Sequence, residues 1–149
     1  MIFDKSKILQ LQQNRDPYLM IDYATEVVPG EKSEGYKILN ENEWFFKVHW
    51  PGDPNMPGML QIEALVQMSS LALLSLPGNE GKLIYLLNVE NANFKKKVTP
   101  KNKLILNTQI KTLKRGIATV EGVALIDNHI CCNAKFKVVL PHEIIKLRK

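Results

Sequence analysis

The sequence has few cysteines and no long uninterrupted hydrophobic run. Only Cys131 and Cys132 occur among its 149 residues, and adjacent cysteines rarely form a disulfide with each other. The most apolar stretch, residues 59–76, contains a glutamate, two glutamines and three serines, whereas a membrane span needs about 20 nearly continuous apolar residues. The N-terminus lacks the basic-then-apolar order of a signal peptide. We therefore expect a cytoplasmic protein with no disulfide framework and no membrane span.

The composition gives no sign of disorder or of several domains. Apolar residues make up 45% and charged residues 23% of the chain, which are ordinary values for a globular protein. The length suits one domain, because typical domains have about 100–150 residues. We expect residues 1–140 to form a single domain and residues 141–149 to form a basic C-terminal tail.

Basic side chains are concentrated in the second half of the chain. Residues 1–90 carry a net charge of −5 and residues 91–149 a net charge of +10. The densest basic group is Lys95, Lys96 and Lys97. Such a face is either a solvated surface or a docking site for an acidic partner. Few aromatic residues lie among the lysines, and no zinc or glycine-rich motif accompanies them, so we do not expect nucleic acid to be that partner.

Hydrophobic spacing predicts one long helix and several strands. Residues 59–76 keep helical spacing, and a Pro-Gly pair ends them. An earlier short helix and two strands are predicted at residues 4–13, 18–28 and 36–39. Strand patterns with intervening turns predict an antiparallel meander of residues 82–89, 103–113, 117–126 and 130–140. One long helix and one sheet indicate an α+β domain, with a curved antiparallel sheet wrapped around the helix.

Glu63 is a carboxyl on a helix that is otherwise apolar on nearly every face. Gln67 and Ser70 follow it at i+4 and i+7, so the three side chains share one polar stripe. An unpaired buried carboxylate is costly, so the stripe needs a reason. It is either a hydrogen-bonded structural stripe or subunit contact, or it holds a carboxyl whose raised pKa lets it donate a proton near neutral pH.

Two further candidates lie beside the loop that precedes this helix. His49 comes before residues 51–58, which contain three prolines and two glycines, and it is either a structural histidine or a general base. Gly58 offers a backbone N–H at the helix N-terminus, where negative charge is favoured. A base, an oxyanion donor and an acid suit proton abstraction beside a carbonyl with loss of a neighbouring leaving group. Spacing alone does not show that the three groups converge.

The segment from Asn42 to Gln67 resembles the signature of the bacterial 3-hydroxyacyl-[acyl-carrier-protein] dehydratases. It runs NEWFFKVHWPGDPNMPGMLQIEALVQ and keeps the family's spacing from His49 to Glu63 without a gap. Shorter similar segments lie at residues 15–22, 81–85, 94–100 and 115–117. Because that family has the hot-dog fold, the resemblance implies a hot-dog domain with the long helix at its centre.

The resemblance also implies a role for each matching residue. His49 would remove the C2 proton of a 3-hydroxyacyl thioester, Glu63 would protonate the departing C3 hydroxyl, and the Gly58 N–H would bind the thioester oxygen. The other residues placed around the substrate are Gln67, Tyr85, Phe94 and Pro57. In the family the histidine and the glutamate come from different subunits. We therefore expect a homodimer with shared active sites, which in relatives assembles into a trimer of dimers.

The same resemblance implies an acyl-carrier-protein substrate. The carrier protein supplies the phosphopantetheine arm, so no metal and no other cofactor are expected. Acyl carrier proteins are acidic, and we expect Lys95, Lys96 and Lys97 to help dock one. The expected reaction is dehydration of (3R)-3-hydroxyacyl-acyl-carrier-protein thioesters to trans-2-enoyl thioesters, in fatty acid synthesis or a related pathway.

The chain departs from the family pattern around the catalytic loop. Val48 replaces a glycine, Trp50 a phenylalanine and Asn55 a valine. These changes keep the catalytic groups and leave the preferred acyl group open. The alternatives are a hot-dog acyl thioesterase and a non-catalytic subunit that binds acyl carrier protein. His129 and His142 lie outside the motif, and we predict that both are surface residues.

Overall fold

The computed structural model describes residues 1–147 and places one long helix against a six-stranded sheet. The elements are α1 (Lys5–Leu11), β1 (Tyr23–Val28), β2 (Lys32–Ile38), α2 (Trp44–Val48), α3 (Gly58–Leu74), β3 (Tyr85–Phe94), β4 (Lys103–Lys114), β5 (Ile117–Ile126), β6 (His129–Val139) and α4 (Pro141–Leu147). The strands pair antiparallel in the order β1-β2-β4-β5-β6-β3. The predicted α+β architecture is confirmed.

Helix α3 is buried against the sheet because it is apolar on nearly every side. Leu65 and Met68 are fully buried, and glycines on two strands let the helix approach. A Cβ on Gly35 would lie 2.7 Å from the Met68 Cε, and a Cβ on Gly122 would lie 3.1 Å from the Leu65 Cδ2. No helix within residues 1–147, α3 included, is long and apolar enough to cross a membrane.

Local signals placed most element boundaries correctly. Helix α1 begins after Asp4, whose carboxylate accepts a hydrogen bond of 2.9 Å from the Lys7 N–H. The β4–β5 and β5–β6 turns each use consecutive residues with positive φ, Arg115–Gly116 and Asp127–Asn128. This geometry matches the right-handed twist of the flanking strands. The short helix α2 (Trp44–Val48) is not among the predicted elements.

The position of β3 shows that the predicted meander was wrong in part. Strands β4, β5 and β6 are consecutive neighbours, but β3 pairs with β6 at the far edge instead of with β4. The connection over residues 95–102 leads from the β3 edge past β6 and β5 to β4 in the middle of the sheet. At its start the Lys95 N–H donates to the Cys131 carbonyl at 2.8 Å, and at its end the Asn102 carbonyl accepts from the Leu39 N–H at 2.9 Å.

Strand β3 is an edge strand with exposed apolar side chains. Its outer edge pairs with no strand within residues 1–147. The exposed large side chains along it are Tyr85, Leu86, Leu87, Val89 and Phe94. An exposed edge of this kind is a ready template for pairing with another chain.

The C-terminal segment continues into α4 after β6. Of the predicted basic tail, Arg148 and Lys149 lie outside the described residues. His129 is exposed, as predicted. The prediction for His142 was wrong, because this side chain is half-buried and its Nε2 lies 2.9 Å from the Asn79 Oδ1.

Candidate active site

His49 lies at the C-terminal end of α2, where the catalytic loop (residues 49–58) begins. Its backbone N–H donates to the Phe45 carbonyl at 2.9 Å. Its ring Nδ1 lies 2.9 Å from the Asn55 carbonyl oxygen. Because a carbonyl oxygen only accepts, Nδ1 carries the hydrogen, and Nε2 of the neutral ring keeps a free lone pair. This tautomer can take a proton from a substrate.

The catalytic loop is braced from within and from the crossing segment. The Asn55 side-chain amide donates to the Asp53 carbonyl, and the Asp53 N–H donates to the Trp50 carbonyl, both at 2.8 Å. The Met56 N–H donates to the Val98 carbonyl at 2.8 Å, and both side chains are buried. The loop is therefore anchored to the connection between β3 and β4.

Trp50 contacts His49 in a way that the sequence did not reveal. The two rings are stacked, with centroids 5.1 Å apart and planes inclined by 23°. The Trp50 backbone has a φ of 60°, in the left-handed region. The motif marks Trp50 only as a departure from phenylalanine, and no local pattern predicts either feature.

Glu63 lies in the second turn of α3, half-buried and hydrogen-bonded to Gln67. The Gln67 Nε2 donates to the Glu63 Oε1 at 3.0 Å and to the Tyr18 carbonyl at 2.9 Å. The Gln67 Oε1 accepts from the Met20 N–H at 2.7 Å. Because that N–H can only donate, the amide nitrogen has to face Glu63. Burial raises the pKa of Glu63, and the Gln67 hydrogen bond opposes this only in part. Glu63 therefore keeps its proton to a higher pH than an ordinary glutamate, as a general acid requires.

One cavity contains the predicted acid and two of the residues predicted to surround the substrate. It has a volume of about 310 Å³ and is lined by Glu63, Gln67 and Tyr85, among other residues. Ser70 also lines it, and its hydroxyl donates to the Val66 carbonyl at 2.8 Å. The polar stripe therefore combines a structural serine with a carboxyl that faces a cavity.

A second cavity, of about 550 Å³, lies at the N-terminus of α3. Gly58 is the first residue of the helix and Pro57 is its N-cap. Within residues 1–147 no group accepts a hydrogen bond from the Gly58 N–H. A Cβ on Gly58 would lie 2.7 Å from the Phe94 Cε1, so glycine lets the phenylalanine ring cover this end of the helix. The other lining residues include Lys95, Lys96 and Lys97.

Lys97 differs from its two basic neighbours. Its ammonium group forms an ion pair with the Asp53 carboxylate on the catalytic loop. Lys95 and Lys96 are exposed, and neither has an acidic partner within residues 1–147. Of the three lysines predicted to dock the carrier protein, Lys95 and Lys96 therefore form no ion pair within residues 1–147, whereas Lys97 is paired with the catalytic loop.

His49 and Glu63 line no common cavity in the described part of the chain. Within residues 1–147, His49 lines neither of the two cavities just described. Glu63, Gln67 and Tyr85 line the first cavity. Gly58 and Phe94 line the second, and so does Asn55, whose carbonyl oxygen lies 2.9 Å from the His49 Nδ1.

Comparison with known proteins places the chain in a family. A family model described as the FabA-like domain matches residues 13–135. The chain belongs to the FabA-like domain family. This FabA-like chain is 37% identical over 134 residues to the 3-hydroxyacyl-[acyl-carrier-protein] dehydratase FabZ of Roseiflexus castenholzii, covering 90% of this chain and 94% of that protein. It is 35% identical over 139 residues to the FabZ of Bacillus subtilis, covering 93% and 99%. The predicted family is confirmed.

Solved structures share the fold of this FabA-like chain at low sequence identity. The dehydratase heterocomplex ApeI:P from Xenorhabdus doucetiae superposes with a TM-score of 0.77 at 14% identity, covering 95% of this chain and 97% of that chain. A hypothetical thioesterase from Streptococcus pneumoniae TIGR4, with coenzyme A, gives a TM-score of 0.62 at 14% identity, covering 78% and 83%. These likenesses show the fold alone, and the predicted hot-dog fold is confirmed.

Proposed function

We propose that this FabA-like chain converts (3R)-3-hydroxyacyl-acyl-carrier-protein thioesters to trans-2-enoyl thioesters, with His49 as base and Glu63 as acid. The reaction class is that of its relatives: the chain is a 3-hydroxyacyl-[acyl-carrier-protein] dehydratase, a hydro-lyase of fatty acid biosynthesis. The residue assignment rests on Glu63. Its carboxyl has a raised pKa, accepts a hydrogen bond from Gln67 and lines a cavity.

The proposed reaction removes one proton from carbon and delivers one to oxygen. The His49 Nε2 takes the C2 proton, and the electron pair of that C–H bond moves toward the thioester carbonyl. The carbonyl oxygen gains negative charge and accepts a hydrogen bond from the Gly58 N–H. The C3–O bond then breaks as Glu63 gives its proton to the departing hydroxyl, which leaves as water. A double bond remains between C2 and C3. None of these steps uses a metal or a further cofactor.

A homodimer is the smallest active unit that we propose. His49 does not line the Glu63 cavity of its own subunit, and we propose that each site combines the base of one protomer with the acid of its partner. The exposed apolar edge of β3 supports such pairing, because contiguous apolar surface usually marks a contact between proteins. Assembly of three such dimers stays a prediction from the resemblance.

A mixture of two inactive variants tests the shared site. We expect His49→Ala and Glu63→Gln subunits, refolded together in equal amounts, to recover about a quarter of the wild-type turnover. Statistical pairing makes about half of the dimers mixed, and each mixed dimer holds one intact site and one doubly altered site. Each variant refolded alone is the control. Recovery no greater than the mean of the two controls would show that each site lies within one subunit.

Lys95 and Lys96 are the residues that we propose for docking the carrier protein. Both are exposed, uncommitted and beside the cavity that contains Gly58. We expect the double change Lys95→Glu/Lys96→Glu to raise KM for the carrier-protein substrate by about tenfold, with a larger effect at low salt. The same acyl group on free pantetheine should react unchanged. Lys97 stays intact, because its reversal would also break the Asp53 ion pair.

Lys114 supplies the control for this docking test. It is exposed on the β4–β5 hairpin, and Lys114→Glu makes a like change of charge away from the cavity. We expect Lys114→Glu to leave both substrates unaffected. Equal losses on carrier-protein and pantetheine substrates in the Lys95/Lys96 variant would count against docking and for a plain loss of activity.

Turnover of the wild-type chain tests the proposed function itself. The measurement is interconversion of 3-hydroxyacyl and enoyl groups on carrier protein, over a series of chain lengths. Formation of enoyl product supports the proposal, whereas release of free acid without interconversion would indicate a thioesterase.

We propose that the reaction takes place in the cytoplasm. Both cysteines are free and buried in the structure, which suits a reducing compartment. Burial raises the pKa of Cys132 to about 11, which leaves its thiol unreactive.

A further inference from the structure

Trp50 combines an unfavourable backbone with an exposed side chain. A φ of 60° is a steric outlier for a bulky residue. Trp50 is 59% exposed, so burial in the core does not explain why a tryptophan is held in this conformation. Such outliers persist where the surrounding structure enforces them, and they cluster at active sites. The surrounding structure here includes the Asp53 N–H, which donates to the Trp50 carbonyl.

The conformation of Trp50 places its indole against the His49 ring. The centroids are 5.1 Å apart and the planes differ by 23°, which is a face contact. The Asn55 carbonyl holds the imidazole at Nδ1 only, and one hydrogen bond leaves the ring free to rock about that bond. A flat surface against the ring removes this freedom and fixes the direction of Nε2.

The same contact acts on the charged form of the base. When His49 has taken the C2 proton it is an imidazolium, a cation lying on the face of an indole. Tryptophan is the best of the aromatic side chains for holding a cation in this way. The contact therefore becomes more favourable as the reaction proceeds, which is the condition for an interaction that raises kcat.

We infer that Trp50 is a positioning residue for His49: it orients the imidazole for proton abstraction and stabilises the imidazolium that results. The inference rests on the proposed role of His49 as the base. It also gives a physical meaning to the departure from phenylalanine, because an indole offers a larger and more electron-rich face than a phenyl ring.

Two substitutions of Trp50 distinguish the effect of an aromatic face against His49 from the effect of side-chain size. Trp50→Phe keeps an aromatic face and Trp50→Leu keeps only an apolar side chain, and both meet the same steric penalty at positive φ. We expect Trp50→Leu to lower kcat by about tenfold or more and Trp50→Phe by about threefold, with KM nearly constant in both. An unchanged kcat in Trp50→Leu, a loss confined to KM, or equal losses in the two variants would overturn the inference.

Fluorescence tests the contact without turnover, and so separates this inference from the proposed function. In a Trp44→Phe background Trp50 is the sole tryptophan, and a protonated imidazole against an indole quenches its emission. We expect emission to fall when acid protonates the imidazole. His49→Ala in this background should abolish the change, and Trp50→Phe in the wild-type background, which reports Trp44, should show none. Emission that is insensitive to acid, or a fall that persists in His49→Ala, would overturn the inference, even if Trp50→Leu fails to fold.

Discussion

Replacing His49 by alanine is expected to lower kcat for dehydration by about 10²–10⁴-fold, the usual contribution of a positioned base. Alanine removes the Nε2 lone pair that the hydrogen bond from Nδ1 to the Asn55 carbonyl leaves free. KM should change little, because the imidazole acts on the C2 proton and not on the carrier protein. The measurement is steady-state formation of enoyl product from a 3-hydroxyacyl carrier-protein substrate.

A matched histidine variant gives the control for this loss. His129 is exposed at the start of β6 and lies outside the motif, so His129→Ala should retain full activity. Near-normal turnover of His49→Ala would remove the base from the proposed mechanism. A circular dichroism spectrum like that of the wild type would show that the loss is chemical and not a failure to fold.

Replacing Glu63 by glutamine is expected to lower kcat by a similar factor, about 10²–10⁴-fold. Glutamine keeps the shape of the side chain and can still accept the hydrogen bond from Gln67, but it has no proton to give to the leaving hydroxyl. Wild-type kcat should decline as the pH rises through the raised pKa of Glu63, because the acid then loses its proton. The residual activity of Glu63→Gln should lack that decline. Glu31→Gln, at an exposed site, is the control.

Stability measurements give an independent view of the same carboxyl. Because burial raises the folded-state pKa of Glu63 above its ordinary value of 4.5, the folded protein holds this proton more tightly than the unfolded chain. This proton binding adds to the free energy of unfolding at pH values below the ordinary pKa. The contribution is lost as the pH rises through the raised, folded-state pKa. The free energy of unfolding of Glu63→Gln relative to wild type should therefore increase with pH across that window. A constant difference between the two proteins would contradict the burial argument.

The central helix and its polar stripe could be predicted because both follow from short-range rules. Prolines at both ends and helical spacing placed α3 within two residues of its observed bounds, Gly58 to Leu74. The i+4 spacing of Glu63 and Gln67 predicted a contact on one helix face, and the structure has that hydrogen bond. The turn residues likewise predicted the hairpins between β4, β5 and β6.

Contacts between distant segments could not be predicted in this way. The amide of Gln67 is fixed by the backbone of Tyr18 and Met20, far away in sequence. The position of β3 beside β6 depends on the path of residues 95–102. The alternating pattern of a strand is the same whichever strand it pairs with, so the pattern does not specify the neighbour of β3. The Trp50 backbone is held by the loop around it, against the local preference of a bulky residue.

The bare edge of β3 also bears on how the protein is made. A newly folded subunit presents a row of unpaired backbone groups flanked by Leu86, Leu87 and Val89. In the dimer that we propose, covering that row by a second copy is a second-order step, so its rate depends on the concentration of folded subunits. Until it occurs, the same row is open to any other extended chain, and correct assembly competes kinetically with aggregation. The strand whose Tyr85 and Phe94 line the two cavities is thus also a vulnerable edge of the unassembled subunit.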